Sequence, residues 1–331
     1  MIQNIEKPDI NFLSTNLRTD GISGFIRCKN EGEYLEQVID SWIDLVDELI
    51  IVFNDCIDNS EDIIEKALLK YPNKIKAYHY LPKVFAQGTD EYRNLEPSDY
   101  QSLVNYYNFA LNKTTKKWCL KIDGDIILDS QKIQLIKKYH SNLKDNECLK
   151  LSGVNIIKQK DSIFCLSQSI FCGTNGDLCI FKMQDGIRFE KESTCEYLNL
   201  PKDYIFYRDD DLKVNNSLTC YYHMKFQKSD FGFGVYDFKN NKNSNYYAKT
   251  KIFIFLSTLL PLKKVFEKYQ ISMRDPNLFI KFHKSYNDYK REFKLALKKS
   301  GGKNSFYVWF SEIKLCFKIN AMKAIKRLLN E

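Results

Sequence analysis

Glycine and histidine are scarce in this chain, with only 13 Gly and 4 His among 331 residues. The ten cysteines, at 28, 56, 119, 148, 165, 172, 179, 195, 220 and 316, form no Cys-x-x-Cys pair. Several sit inside apolar runs such as Trp118-Cys119-Leu120, which predicts reduced, packed thiols rather than a disulfide frame or a zinc site. The start of the chain has neither a basic segment nor an apolar core after it, so no cleaved leader is expected. No apolar run is long: the longest, Ile252 to Leu262, holds about 11 residues interrupted by Ser, Thr and Pro, too few to span a bilayer. Internal repeats and low-complexity tracts are absent as well.

What is present is a globular composition, 44% hydrophobic and 28% charged, rich in Phe and Tyr. The length suffices for one large core, or one core and a smaller appendage. Charge is unevenly placed. Lys281 to Glu331 carry 13 Lys/Arg against 4 Asp/Glu, enough to account for the whole net charge of +8. Such a tail implies an anionic partner or a solvated helical face. No nucleic-acid-binding motif accompanies it, so no nucleic-acid partner is expected.

Hydrophobic periodicity predicts an α/β organisation. Ile22–Arg27 reads as a buried strand, and Asn30 to about Val46 as a helix with apolar residues at 35, 38, 39, 42 and 45. Glu48–Phe53 is a continuous apolar run, as expected of a parallel strand covered on both sides. A turn at 54–60, a helix over 61–69 and a strand over 75–80 follow. Residues 82–100 read as a loop, 101–111 as a helix and 117–122 as a fourth strand. This alternation predicts βαβ units on one parallel sheet, with ligands at the carboxyl ends of the strands. Asn54-Asp55 and Asp123-Gly124-Asp125 both fall there. Residues 126–228 mix strand-like runs (149–157, 178–181, 218–225) with loops, and beyond 245 the pattern turns helical.

Asp123-Gly124-Asp125 is the focus of the chemistry. A hard divalent ion neutralises a diphosphate better than a lone side-chain cation, and Mg²⁺ or Mn²⁺ prefers oxygen ligands. On an extended strand residues i and i+2 share a face, so the two carboxylates are expected to point the same way. Gly124 is expected to let substrate approach the backbone. A polar turn after a strand would show the same tripeptide.

Residues 22–130 resemble the nucleotide-binding half of family 2-type glycosyltransferases. The matching segments are Ile26-Arg-Cys-Lys-Asn-Glu-Gly32, Asp47-Glu-Leu-Ile-Ile-Val-Phe-Asn-Asp-Cys-Ile-Asp-Asn-Ser60, and Tyr106-Tyr-Asn-Phe-Ala-Leu followed by Trp118-Cys-Leu-Lys-Ile-Asp-Gly-Asp. The resemblance implies a GT-A fold, a Rossmann-like and mostly parallel sheet flanked by helices, here with a helical, basic C-terminal extension. It also implies a uridine, guanosine or cytidine diphosphate-sugar donor and a divalent cation, Mn²⁺ or Mg²⁺. Carried onto this sequence, Arg27, Asn30, Glu31, Asn54, Asp55, Asp123 and Lys225 are the candidate donor-binding residues. Asp123, Asp125 and His223 are the candidate metal ligands. Ile57 stands where the family usually has Ser.

Inverting transfer needs a carboxylate to take the acceptor proton. Thr194-Cys195-Glu196-Tyr197-Leu198 resembles the strand carrying that base in one branch of the family, with Cys195 in place of a histidine. Glu196 is the first candidate, ahead of Glu192 and Glu190, with Asp209–Asp211 either a further candidate or a solvated turn. Gly173–Asp177 is read as an acceptor-side turn. The expected layout is a nucleotide-sugar-binding half (1–130), an acceptor half (131–244) and a helical basic region (245–331). The expected acceptor is a glycan or lipid-linked glycan of lipopolysaccharide or capsule type. Apolar and basic residues together at 246–264 and 309–327 suit either an anionic membrane surface or packing on the core. The expected place is cytoplasmic, or peripheral at the inner face of the cell membrane. Two alternatives are a nucleotidyltransferase, which usually shows a Gly-rich loop where this chain has Cys28–Gly32, and a non-catalytic sugar- or lipid-binding scaffold.

Overall fold

Strands buried on both faces alternate with amphipathic helices along the first 123 residues, and this pattern sets the architecture. The computed structural model describes residues 1–9, 11–85, 87, 89–166, 169–192, 195–228 and 259–283. The order is β1 (Gln3–Ile5), β2 (Thr19–Cys28), α1 (Leu35–Trp42), β3 (Glu48–Phe53), α2 (Ser60–Lys70), β4 (Ile75–Tyr80), α3 (Asp90–Asn94), α4 (Leu103–Asn112) and β5 (Lys116–Asp123). β4, β3, β2 and β5 lie side by side, all parallel. The chain runs from β2 outward through β3 and β4, then returns across β2 to place β5 on its other side. Between β2 and β5 the direction of winding reverses, and a ligand crevice is expected there.

Side chains alternate across the sheet as a period of two requires. Ile22 and Ile26 of β2 join Ile51 and Phe53 of β3 under Leu35, Val38, Ile39 and Trp42 of α1. Phe25, Ile50 and Val52 point to the opposite face, against Tyr106, Phe109 and Ala110 of α4. The indole of Trp42 donates to the Ile126 carbonyl at 2.9 Å, and the Tyr106 hydroxyl to the Val52 carbonyl at 2.7 Å. Each such bond turns a packed helix into a registered one, contributing on the order of 1 kcal/mol.

The second half extends the same sheet with mixed direction. It supplies β6 (Ile126–Leu128), α5 (Ile133–Ser141), β7 (Glu147–Gln159), β8 (Ser162–Leu166), β9 (Phe171–Cys172), β10 (Cys179–Lys182), β11 (Arg188–Lys191), β12 (Glu196–Asn199), β13 (Ile205–Phe206) and β14 (Leu218–His223). β10 runs antiparallel to both β5 and β7, and β14 is parallel to β7. The carboxyl ends of β5 and β14 therefore face one edge of the sheet. β11 and β12 form a separate hairpin.

Several sequence readings are corrected. The helix expected over 30–46 spans only Leu35–Trp42, because Asn30 takes a left-handed φ of 57° and the chain turns before Leu35. The expected loop at 82–100 holds the short helix α3. Leu259 and Leu260, inside the apolar run read as a membrane-facing or packing segment, belong to β15 (Leu259–Pro261), which pairs antiparallel with β8. Leu262 and Val265 of the following α6 (Leu262–Tyr269) are buried in the core, so this part packs on the protein. Residues 229–258 and 284–331, with most of the expected helical basic region, lie outside the described residues. Among the described residues no helix is long and apolar enough to cross a membrane, and all nine cysteines are free thiols.

Candidate active site

The crevice between β2 and β5 gathers the first group of candidates. Arg27 and Asp123 are register partners at the carboxyl ends of these strands. The Arg27 guanidinium lies flat over the Tyr107 ring of α4, 3.2 Å from its centroid. A stacked guanidinium keeps its fork of donors free for an anion. Lys121, two residues before Asp123 on the same face of β5, bonds the Asp123 carboxylate at 2.9 Å. Burial works against the charge on Asp123, but Lys121 and then Arg27 hold its carboxyl below the usual range. Burial likewise opposes the charge of Lys121, and Asp123 more than restores it, raising its pKa.

Asp125 belongs to a second group. β5 ends at Asp123 and Gly124-Asp125 form a turn, so the strand rule of a shared face does not reach Asp125. The turn, and not the alternation of a strand, therefore sets where Asp125 sits relative to Asp123. Asp125 Oδ1 faces His223 Nε2 at 3.4 Å, and its Oδ2 lies 3.9 Å from Lys228 Nζ. Burial again disfavours the charge on Asp125, but His223 and Lys228 hold its carboxyl well below the carboxylate range. Burial alone would lower His223; the Asp125 carboxylate reverses this and carries its pKa up to about 10. The other ring nitrogen, Nδ1, is 2.6 Å from the Asn155 side-chain oxygen.

Gly124 has a different role from the one expected. A Cβ there would meet Glu31 Cγ at 2.6 Å, so the missing side chain makes room for Glu31 and not for substrate. Glu31 reaches over the turn to Lys228, Oε2 to Nζ 2.6 Å. Lys228 is the cation that the sequence reading missed. Lys225, which it chose, is half-buried in the short 3-10 turn Lys225–Gln227 and contributes to holding Asp125 ionised from further away.

The loop after β2 and the loop after β3 meet beside this turn. The Asn30 side chain accepts from the Ile57 backbone N–H at 2.8 Å, and Asp55, with φ 47°, pairs with Lys29 at 3.2 Å. Asp55 is exposed and able to face a nucleoside. Asn54 is not: it is 0% exposed, and its amide bonds the Tyr80 and Pro82 carbonyls at 2.6 and 2.8 Å. It braces the loop instead of lining the crevice. Ile57 is 88% exposed at the rim.

The hairpin of β11 and β12 covers the α4 side. The Asn108 amide of α4 makes both bonds to the Phe189 backbone, at 2.9 and 2.7 Å, and Lys191 Nζ bonds the Tyr92 carbonyl of α3 and the Leu95 carbonyl just past its end, each at 2.8 Å. So anchored, the hairpin carries Glu196, whose Oε2 accepts from Gln87 at 2.7 Å. Its Oε1 is buried, and the carboxylate lies near the Tyr92 phenol, whose pKa is raised by burial first and by Glu196 second. Glu196 is close enough to Tyr107 to help raise the phenol's pKa, mainly a burial effect, so it shares a neighbourhood with Arg27 and Asp123. Glu192 sits exposed in the hairpin turn beside Cys195, and Glu190 is engaged by Asn199, Tyr197 and Arg188. Neither has a comparably sheltered oxygen. Gly173, with φ 72°, packs where a Cβ would strike the Tyr221 hydroxyl, bringing Cys172 beside the ring of Tyr221, 3.7 Å from its oxygen.

Among the described residues no three His, Cys, Asp or Glu side chains form a ready-made metal cage. The donor set nonetheless fits Mg²⁺ or Mn²⁺. Such an ion is commonly held by one or two carboxylates and completed by phosphate oxygens and water. Asp125 and His223 face each other at 3.4 Å, with Asp123 close enough to feel the charge of Asp125.

Residues 21–268 match the family model described as beta-1,4-N-acetylgalactosaminyltransferase (CgtA). No curated protein matches the chain. Among solved structures, a mycobacterial protein aligns at 17% identity and a TM-score of 0.27, over 42% of each chain. Glucosyl-3-phosphoglycerate synthase from Mycobacterium tuberculosis, in complex with Mn²⁺, uridine diphosphate and phosphoglyceric acid, aligns at 18% identity and a TM-score of 0.26, covering 46% of this chain and 50% of that one. The same enzyme with Mn²⁺, uridine diphosphate-glucose and phosphoglyceric acid aligns at 18% identity and 0.26, covering 46% and 51%. The chain thus spans about half the length of the solved structures it matches.

Proposed function

Since the chain belongs to the β-1,4-N-acetylgalactosaminyltransferase (CgtA) family, and is thereby a glycosyltransferase, we propose that it moves N-acetylgalactosamine from a nucleoside-diphosphate donor to a glycan hydroxyl. The observation that carries this reading beyond the family is the oriented Asp125–His223 pair beside Asp123, at the sheet edge where the winding reverses. Asp123, Asp125 and His223 are the residues to hold a divalent ion. When bound, the ion offsets the charge that grows on the diphosphate as the glycosidic bond breaks.

The protein's own groups account for the remaining work. Arg27, flattened on Tyr107, presents donors to a phosphate, and Lys228 and Lys225 supply further positive charge at the turn. Asn30, Glu31 and Asp55 place the two loops that border the nucleoside side. Glu196 takes the proton of the acceptor hydroxyl on its sheltered Oε1 while that oxygen attacks the anomeric carbon. The diphosphate leaves with the electrons of the broken bond. A β-linked product from an α-linked donor requires one such inversion.

The acceptor is expected to be a glycan, free or lipid-linked, met at the cytoplasmic face of the membrane. The family match favours this reading over a nucleotidyltransferase or a binding scaffold. A panel of nucleotide sugars, each with Mn²⁺, Mg²⁺ or a chelator, tests it through diphosphate release and thermal shift. Metal-dependent release from an N-acetylhexosamine donor is expected. The proposal fails if no donor is either turned over or stabilised in any metal.

A further inference from the structure

A chain of hydrogen bonds behind His223 decides which of its nitrogens is available. β7 and β14 run parallel in a register that pairs Asn155 with His223. Asn155 is 3% exposed, and its backbone N–H donates to the Ile170 carbonyl at 2.8 Å. Its side-chain nitrogen lies 2.9 Å from the Ser169 carbonyl and 3.1 Å from the Ser169 hydroxyl. A carbonyl only accepts, so the nitrogen and not the oxygen of the amide must face Ser169. That fixes Asn155 Oδ1 towards His223 Nδ1, 2.6 Å away. An amide oxygen also only accepts, so Nδ1 must carry the proton. In the neutral ring the lone pair then sits on Nε2, the nitrogen that faces Asp125 at 3.4 Å.

The geometry points to Asn155 as the positioning residue for the metal-binding nitrogen of His223, locked in turn by the Ser169 backbone. Metal-bound histidines almost always donate their other N–H to a fixed acceptor, and losing that acceptor typically weakens metal binding 10- to 100-fold. Here the acceptor is a neutral amide whose orientation is set 14 residues along the chain. The Ser169 carbonyl thereby acts on the cation through two side chains. Asn155 is buried and acts by presenting Nε2.

This inference rests on the proposed metal site, and the experiment separates the two. Mn²⁺ affinity is measured on the full chain in the presence of uridine diphosphate for the natural protein, Asn155→Leu and His223→Ala. Asn155→Leu keeps the branched shape but removes the amide, and is expected to bind Mn²⁺ roughly 10- to 100-fold more weakly. If the natural protein binds no Mn²⁺, the metal site itself is wrong. If His223→Ala weakens binding and Asn155→Leu does not, only the role of Asn155 is overturned. A measurement on the natural protein stands should the variant fail to fold. With four histidines in the chain, ¹⁵N-histidine spectra in Mg²⁺ and uridine diphosphate resolve His223. A ring protonated at Nδ1 is expected, and protonation at Nε2 alone overturns the inference.

Discussion

Single side chains divide the work at the sheet edge, and single substitutions test the division. Asp125→Asn removes the carboxylate that faces His223, and should lower metal-dependent transfer by about 100-fold or more, measured as product formed across a Mn²⁺ titration. Glu196→Gln keeps the bond with Gln87 but cannot accept a proton. It should lower kcat by roughly 10²–10⁴-fold with little change in donor KM. Unchanged kcat would remove Glu196 from the chemistry. Gly124→Ala is a test of packing. Its methyl would sit 2.6 Å from Glu31 Cγ, so Glu31 must swing off Lys228, at a cost of roughly 1–3 kcal/mol read by urea unfolding. Asp123 and His223 stand out in the sequence because each ends an apolar strand, and Asp125 follows in the turn after Asp123. The sequence hid Asn155 and Lys228, because their roles depend on strand register and on a contact between residues 197 positions apart.

At the scale of elements, the best-read pieces were those whose burial leaves an unbroken apolar run. β3 and β4 were foreseen with the ends the structure gives them, since β3 is buried along its whole length. The start of α1 was misread because the helical spacing ignored the left-handed turn at Asn30. α3 went unseen since five residues show no period. β9, β13 and β15 are two or three residues long and exist only through their partners, which no local pattern reveals. One long-range tie makes a sharp prediction. Arg274 bonds Asp129 at 2.7 Å through Nε and 2.8 Å through its backbone, and Asp129 is 0% exposed. Arg274→Ala leaves a buried carboxylate with its guanidinium partner gone. A loss of about 3 kcal/mol in urea-measured stability is expected, and Asp129→Asn in the same chain should recover part of it.

For the whole molecule, the abundance of buried tyrosine sets an alkaline limit. Burial is the leading cause of a raised pKa at Tyr34, Tyr80, Tyr106, Tyr107, Tyr204 and Tyr222. A phenol whose pKa is higher folded than unfolded contributes stability that is complete below its unfolded value, near 10.0, and is lost as pH rises through the folded one. Every tenfold tightening of the phenolic proton on folding corresponds to about 1.4 kcal/mol, so unfolding free energy should be level to about pH 9 and fall steeply beyond 10. Tyrosinate absorbance should appear together with unfolding, and a gradual titration of these rings in the folded protein would contradict the prediction. The order in which the sheet is strung also bears on biosynthesis. β14 inserts between β6 and β7, both made earlier, so His223 takes its place only after much of the chain exists. On the ribosome, the nucleotide-side strands are able to pair while the cation side still lacks its imidazole. On the proposed metal site, a nascent chain built this way stays catalytically silent until β14 slots between β6 and β7.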